Sequence, residues 1–175
     1  SVDEVVVINL ESRKDKKQKM KAQLDNLDIE HTFFKAVDGR EDSVYKEWFK
    51  HVKHKRYSAI EAKLNRPELY YCGAWGYNET YIQVLEYAIK EGLNSIALFD
   101  DDVYFHKDFT NLMQNYSSTE EYKNAELIYL GCRLQDIDRS TLPSLITEYP
   151  NKVLGSYGII LKSSAFSKVL NRLKL

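Results

Sequence analysis

Cysteine is scarce: the 175 residues hold two, Cys72 and Cys132. Two thiols cannot build the disulfide framework of a small secreted domain, and both read as reduced in a cytosolic setting. Long apolar runs are missing as well. None approaches the roughly 20 residues that a membrane-spanning helix needs, and the chain runs straight into a strand-like segment with no signal-peptide pattern ahead of it. Charge of one sign is not in excess. The net charge is -1, so nothing global points to nucleic acid. No internal repeat or low-complexity linker divides the chain, so one domain over residues 1–175 is expected. A last absence is local. Nucleotidyltransferases carry a glycine-rich phosphate loop after the first strand; here that place reads Glu11-Ser12-Arg13-Lys14, which ranks that class low.

What is present is the profile of a soluble globular chain, 43% hydrophobic and 29% charged, with apolar surface enough for one substantial core. Tyrosine is abundant, with 13 residues. It joins a flat apolar face to a hydroxyl, which suits stacking on sugars or bases. A compositional bias of the genome would give the same excess.

Val5 to Leu10 is a continuous apolar, β-branched run, the pattern of a strand covered on both faces. Ser12 then offers an N-cap, with Asp15 three residues on, for a helix from about Lys14 to Leu27. Thr32 to Val37 reads as a second strand ending at the Asp38-Gly39 turn. The stretch from Glu41 to Tyr71 is polar, basic between Lys46 and Arg56, and interleaved with Trp48, Phe49 and Tyr57; short helices or an ordered loop are expected there. Gly73 and Gly76 precede a helix from roughly Asn78 to Lys90, closed by Gly92. Ser95 to Phe99, Glu126 to Gly131 and Leu154 to Leu161 read as further strands, and Ser163 can cap a last helix. Alternating strands and helices predict an α/β architecture with a mostly parallel sheet flanked by helices. Ligands of such sheets bind beyond the carboxyl ends of the strands, where Asn9, Asp38 and Asp100 fall.

Asp100-Asp101-Asp102 follows the third strand directly. Adjacent carboxylates repel, and burying them is costly unless they are paired or metal-bound. Mg²⁺ and Mn²⁺ prefer oxygen ligands and commonly take one or two protein carboxylates plus phosphate oxygens. In an extended chain Asp100 and Asp102 project to the same side, giving a pair able to hold a cation that bridges a diphosphate. The plain alternative is a solvated acidic turn.

Five stretches carry a family likeness: Val7-Ile8-Asn9-Leu10 with Arg13; Ala36-Val37-Asp38-Gly39; Gly76 to Ile82 (GYNETYI); Ile96 to Val103 (IALFDDDV); and Gly155 to Leu161 (GSYGIIL). In order and spacing they resemble glycosyltransferase family 25, the lipopolysaccharide and collagen galactosyltransferase type, across nearly the whole chain. The resemblance implies a GT-A-like, Rossmann-type fold, a UDP-sugar donor, a divalent metal and inversion at the anomeric carbon. It implies that the backbone near Asn9 and Leu10 contacts the base and that Arg13 lies by the base or diphosphate. Asp38, with Gly39, would bond a ribose hydroxyl or the base, and Gly76, Asp100 and Asp101 would complete the donor site. Asp100 and Asp102 would hold the metal, Mn²⁺ or Mg²⁺. Plain readings stand beside these: Asn9 ending a strand, Arg13 on an exposed helix face, Asp38 in an ordinary Asp-Gly turn.

The chain departs from the family pattern at Thr80-Tyr81, where the family helix has Ser-His, and at Asp100, where it has glutamate. It also stops at Leu175 in a helical pattern that relatives continue, so it reads as C-terminally truncated. The expected activity is metal-dependent, inverting transfer of a hexose, galactose or glucose, to a glycan or lipooligosaccharide acceptor in lipopolysaccharide biosynthesis. The expected place is the cytoplasm, peripheral to the inner membrane through a glycolipid acceptor. A degenerate, non-catalytic carbohydrate- or nucleotide-binding module is the alternative. Inversion needs a general base; none is assigned, and Asp136 and Asp138, after a strand end, read equally as solvated loop acids. His51 and His54, with Lys50, Lys53, Lys55 and Arg56, form a basic cluster that reads as a solvated helix face or as an anion contact. As a lid, the segment would be mobile until ligand orders it, with Trp48 and Tyr57 over the sugar.

Overall fold

Val6, Val7 and Ile8 are almost wholly buried, because the first strand lies between two others with helices over both faces. The structure, a computed structural model, describes residues 2–54, 71–134 and 153–174, and for 52–54, 132–134 and 153–154 the backbone alone. The strands are β1 (Glu4–Asn9), β2 (Thr32–Lys35), β3 (Ser95–Asp100), β4 (Leu127–Leu134) and β5 (Val153–Lys162). They form one sheet in the order β2-β1-β3-β5-β4. β1 pairs in parallel with β2 and β3, whereas β5 is antiparallel to both β3 and β4. The sheet is therefore mixed: β5 alone runs against the rest.

The helices are α1 (Lys14–Asn26), α2 (Asp42–His54), α3 (Cys72–Lys90), α4 (Phe109–Ser117), α5 (Glu120–Asn124) and α6 (Ser163–Leu173). Strand side chains alternate between faces. Val6, Ile8, Ile96, Leu98, Ile159 and Leu161 meet Val84, Leu85 and Phe166 of α3 and α6. Val7, Ala97, Phe99 and Ile160 meet Met20 and Leu24 of α1 and Tyr122 of α5. Each fully buried Leu or Phe stabilises by about 1.5–3 kcal/mol, so these two apolar layers hold the sheet and its helices together.

Several boundaries differ from the sequence reading. Ser12 does not cap α1; the N-cap is Arg13, whose backbone N–H bonds the Leu10 carbonyl at 2.8 Å. Ser163 does not cap α6 either. It is the first helical residue, Lys162 is the N-cap, and the Ser163 N–H is held by the Asn94 carbonyl at 2.8 Å. The helix predicted from Asn78 begins six residues earlier, at Cys72, so Gly73 and Gly76 lie inside it. Gly92, with φ +68°, does close it. The basic stretch as far as His54 is helical. Val44, Trp48 and His51 are partly buried at four- and three-residue spacing, with the His51 ring 4.7 Å from that of Trp75. Tyr45 and Phe49 stay exposed on the same helix and blur its period. Lys55, Arg56 and Tyr57 lie outside the described residues.

Gly76 is where α3 meets the turn after β2. A Cβ there would lie 2.5 Å from the Val37 carbonyl oxygen and 2.7 Å from the Gly39 nitrogen, while one on Gly73 would meet nothing within 4 Å. Gly76→Ala is expected to destabilise by about 1–3 kcal/mol through overpacking against backbone. Gly73→Ala should be neutral or stabilise by up to about 1 kcal/mol, as alanine replaces glycine in a helix. Urea unfolding of the two variants separates these outcomes.

Glu79, on the same helix, is a pH-sensitive element of the packing. Burial, followed by the Glu47 and Glu86 carboxylates, raises its pKa from the usual value, with Lys174 opposing. A raised carboxyl pKa means the folded state binds the proton more tightly than the unfolded chain, so stability falls as pH rises through the ordinary glutamate range and stays lower above it. Glu79→Gln should melt above wild type at pH 7, and the gap should close below roughly pH 4. A gap independent of pH would place the effect elsewhere.

Candidate functional site

The carboxyl ends of β1, β2 and β3 meet along one edge of the sheet, and the acidic run begins where β3 stops. Asp100 is the last strand residue, and Asp101 and Asp102 form a turn. The turn removes the alternation expected of extended chain, so Asp100 and Asp102 do not share a setting. Asp101 is buried, 7% exposed. Its carboxylate accepts from Asn9 Nδ2 at 2.8 Å and pairs with Arg13 at 3.3 Å. Asn9, itself buried at the end of β1, also donates to the Arg13 carbonyl. Arg13 extends to Asp102 at 3.9 Å, as does Lys16, one helical turn further along α1. Asp102 is about half exposed.

Asp100 belongs to another set of partners. Tyr77 of α3 donates its hydroxyl to Asp100 Oδ1 at 3.1 Å. The Tyr77 oxygen lies 3.0 Å from both the Tyr81 hydroxyl and Ser156 Oγ, and Tyr81 and Ser156 are 3.2 Å apart. Burial, and then the neighbouring Asp102 and Asp101 charges, push the Asp100 carboxyl up to about 6 against the Tyr77 hydrogen bond. Burial likewise raises both phenols, which stay protonated. Tyr77, Ser156, Lys16 and Arg40 are not singled out by the sequence; Tyr81 is, but only as a departure from the family pattern. The available signals were helical spacing, four residues between the tyrosines and three between Arg13 and Lys16.

On the β1–β2 side a cavity of about 420 Å³ is lined by Leu10, Arg13, Val37, Asp38, Gly39, Arg40 and Gly73. Asp38 takes the Arg40 backbone N–H at 3.0 Å and grips its guanidinium with both oxygens at 2.9 and 2.7 Å. That pairing holds its carboxyl below the usual range. Gly39 is buried because a Cβ would collide with the Cys72 carbonyl. Gly76 supports the turn from below, and Val37 N–H is fixed by the Thr80 hydroxyl at 2.8 Å. A larger cavity of about 860 Å³ lies elsewhere, by the starts of β1 and β2, with Val5, Ile29, Phe109 and Met113 among its lining. It contains none of the polar groups described here, so the smaller crevice is the chemical candidate.

Seven of the residues picked from sequence thus fall into two groups that share Arg13. Asn9, Arg13, Asp101 and Asp102 form one network, Leu10, Asp38 and Gly39 join Arg13 around the cavity, and Asp100 stands beyond them toward α3 and β5. Asp136 and Asp138 lie outside the described residues, as does the Cys132 side chain; Cys72 is a free thiol.

Among the described residues no three His, Cys, Asp or Glu side chains are grouped to hold a metal by themselves. A hard cation at a diphosphate needs fewer, one or two carboxylates completed by phosphate and water. Asp100, with Oδ1 on Tyr77, and Asp102, held only by loose 3.9 Å ion pairs, are chemically suited to that number, whereas Asp101 is already committed to Asn9 and Arg13.

The model of the family described as "Glycosyltransferase family 25 (LPS biosynthesis protein)" matches residues 2–154. No curated protein matches the chain.

The geometry separates a buried, hydrogen-bonded aspartate from an exposed one. Asp101→Ala strands Asn9 Nδ2 in a buried place and is expected to cost about 1–3 kcal/mol of stability. Asp102→Ala, removing an exposed charge beside two others, should stay within about 0.5 kcal/mol of wild type. Denaturant titration of both variants reads the contrast; equal losses would refute it.

Proposed function

The chain belongs to glycosyltransferase family 25, and from that footing we propose that it transfers a hexose, galactose or glucose, from a UDP-sugar to a glycan or lipooligosaccharide acceptor with inversion and with Mn²⁺ or Mg²⁺ bound. The glycosyltransferase activity itself follows from family membership. The donor, the metal, the GT-A type of the fold and the acceptor belong to the proposal, as does a single domain over residues 1–175.

The observation that carries it is the placement of Arg13. It is at once a wall of the crevice beside Asp38 and Gly39 and the partner of the acidic turn. A nucleotide in that crevice has its base near Leu10 and its ribose near Asp38, and its diphosphate then reaches Arg13 and Lys16. Those two cations offset part of the diphosphate charge and draw it to the sheet edge. Asp101 keeps Asn9 and Arg13 in register, and Asp102 and Asp100 are the carboxylates that would hold the divalent ion. When bound, that ion supplies charge stabilisation to the leaving diphosphate. Asp38 has both oxygens on Arg40, so a ribose contact would be made by the pair, with Arg40 shifting or sharing.

No described helix is long and apolar enough to cross a membrane. A cytoplasmic enzyme that meets the inner membrane only through a glycolipid acceptor is the setting we propose, because the acceptor class would bring it there.

Calorimetry of UDP tests the donor site. Binding with Mn²⁺ should be at least about tenfold tighter, 1.4 kcal/mol, than with EDTA, and Asp102→Ala should erase the difference while the protein remains folded. Equal affinity under both conditions would remove the metal from the proposal. Release of UDP from UDP-galactose or UDP-glucose then distinguishes a transferase from a module that binds nucleotide without turnover.

A further inference from the structure

Asp100 has two flanks of opposite chemistry. Toward β1 and β2 lie the crevice and the cations Arg13, Lys16 and Arg40. Toward α3 and β5 the described side chains that touch Asp100 or its hydroxyl partner are neutral: Tyr77, Tyr81 and Ser156. Tyr129 of β4 pairs across the sheet with Ile159 of β5, which packs in the same apolar layer as Tyr81. Tyr129 and Tyr77 leave 45% and 37% of their surface exposed, respectively. A diphosphate seeks the cationic flank. The other flank is built for an uncharged ligand with hydroxyls and an apolar face.

The hydrogen-bond polarity of the cluster narrows this further. Tyr77 has one hydroxyl proton, and an ionised carboxylate is its strongest acceptor, so that proton points at Asp100. Toward Ser156 the Tyr77 oxygen is then an acceptor: Ser156 gives its proton to Tyr77, and Tyr81 gives its own to Ser156. The protons of Tyr81 and Ser156 are taken up within the triangle, where all three O···O distances are 3.0–3.2 Å. The open valences of the cluster are therefore lone pairs. What fits them is an O–H donor, and what fits the exposed Tyr129 and Tyr77 rings is the C–H face of a pyranose.

We propose that the Tyr77–Tyr81–Ser156 hydroxyl cluster, with the Tyr129 ring beside it, is the seat of the acceptor saccharide. A sugar hydroxyl donates to the partly exposed Ser156 oxygen, the ring face rests on Tyr129, and the sugar faces the donor across Asp100. The assignment rests on the glycosyltransferase reading. It adds the residues that seat the acceptor and the flank of entry.

Saturation-transfer NMR with methyl β-D-glucopyranoside, a neutral pyranoside, tests it on the whole chain in the presence of UDP and Mn²⁺. Calorimetry of UDP is run in parallel on every variant, and melting curves report folding. The wild type should transfer saturation to the sugar. Ser156→Ala and Tyr129→Ala should each weaken the sugar by roughly 3- to 10-fold, the range of one lost hydrogen bond or stacking contact, with UDP affinity within about twofold of wild type. Tyr129→Phe, which keeps the ring, should bind as wild type does. If wild type binds UDP but shows no transfer to the sugar, or if both alanine variants bind sugar unchanged, the acceptor seat is overturned and the donor reading stands. If wild type fails to bind UDP at all while the sugar signal responds to the variants as described, the seat stands and the donor reading falls.

Discussion

A carboxylate buried to 7% exposure has to be answered by hydrogen bonds and a counter-charge, or it will not stay ionised. At Asp101 the answer comes from two places in the chain, Asn9 at the end of β1 and Arg13 at the start of α1. This knot ties the β3 turn to the β1–α1 junction, and the rest of the site is arranged around it. With Asp101 turned inward, its neighbours are directed apart: Asp100 to the phenols of α3, Asp102 to the cationic face of α1. Three consecutive like charges coexist because each has a different electrostatic environment. At Asp100 a cost is visible in a carboxyl raised to about 6 by burial and then by its two neighbours.

The second constraint is steric. The turn after β2 and the first turns of α3 approach so closely that neither Gly39 nor Gly76 could carry a Cβ without striking backbone. Thr80 completes the contact, donating to the Gly76 carbonyl at 2.7 Å while accepting from Val37 N–H. The hydroxyl at this position, which the family pattern also has as serine, thus has a local reason. It closes a helix on a turn and thereby sets the wall of the crevice. Asp38 and Gly39 are presented to that crevice by packing beneath them, with Arg40 folded back as the partner of Asp38.

Much of this was legible in the chain itself. The buried strands announced themselves by apolar runs, and Asn9 and Asp100 at strand ends followed from the alternation of strands and helices; β2 stops at Lys35, two residues short of the expected end, so Asp38 lies in the turn beyond it. What escaped was decided by tertiary contact. Extended geometry would have put Asp100 and Asp102 on one side, but the chain turns at Asp101 because Asn9 and Arg13 are there to receive it. Gly73 and Gly76 looked like a break before a helix. Both are inside it: at Gly76 glycine is required where α3 meets the β2 turn, so propensity yields to packing, while Gly73 is under no such constraint. The Asp42–His54 helix was obscured because aromatics sit on its exposed as well as its inner side. β5, the strand that runs against the others, has the same apolar pattern as its parallel neighbours; direction leaves no mark on hydropathy.

The two tyrosines of α3 alter what the site can do with protons. Where the family pattern has a histidine, able to exchange a proton near neutrality, this chain has Tyr81, and burial drives its phenol further from titration. Tyr77 is held the same way, with Asp100 and Tyr81 adding to the effect of burial. Hydroxyls that stay protonated can accept and direct hydrogen bonds, but they cannot remove a proton from an acceptor alcohol at physiological pH. The cluster is accordingly a device for orientation. Under the proposed inverting transfer the acceptor's proton would have to be taken by another group, and the hydroxyl triangle would fix which sugar hydroxyl is turned toward it.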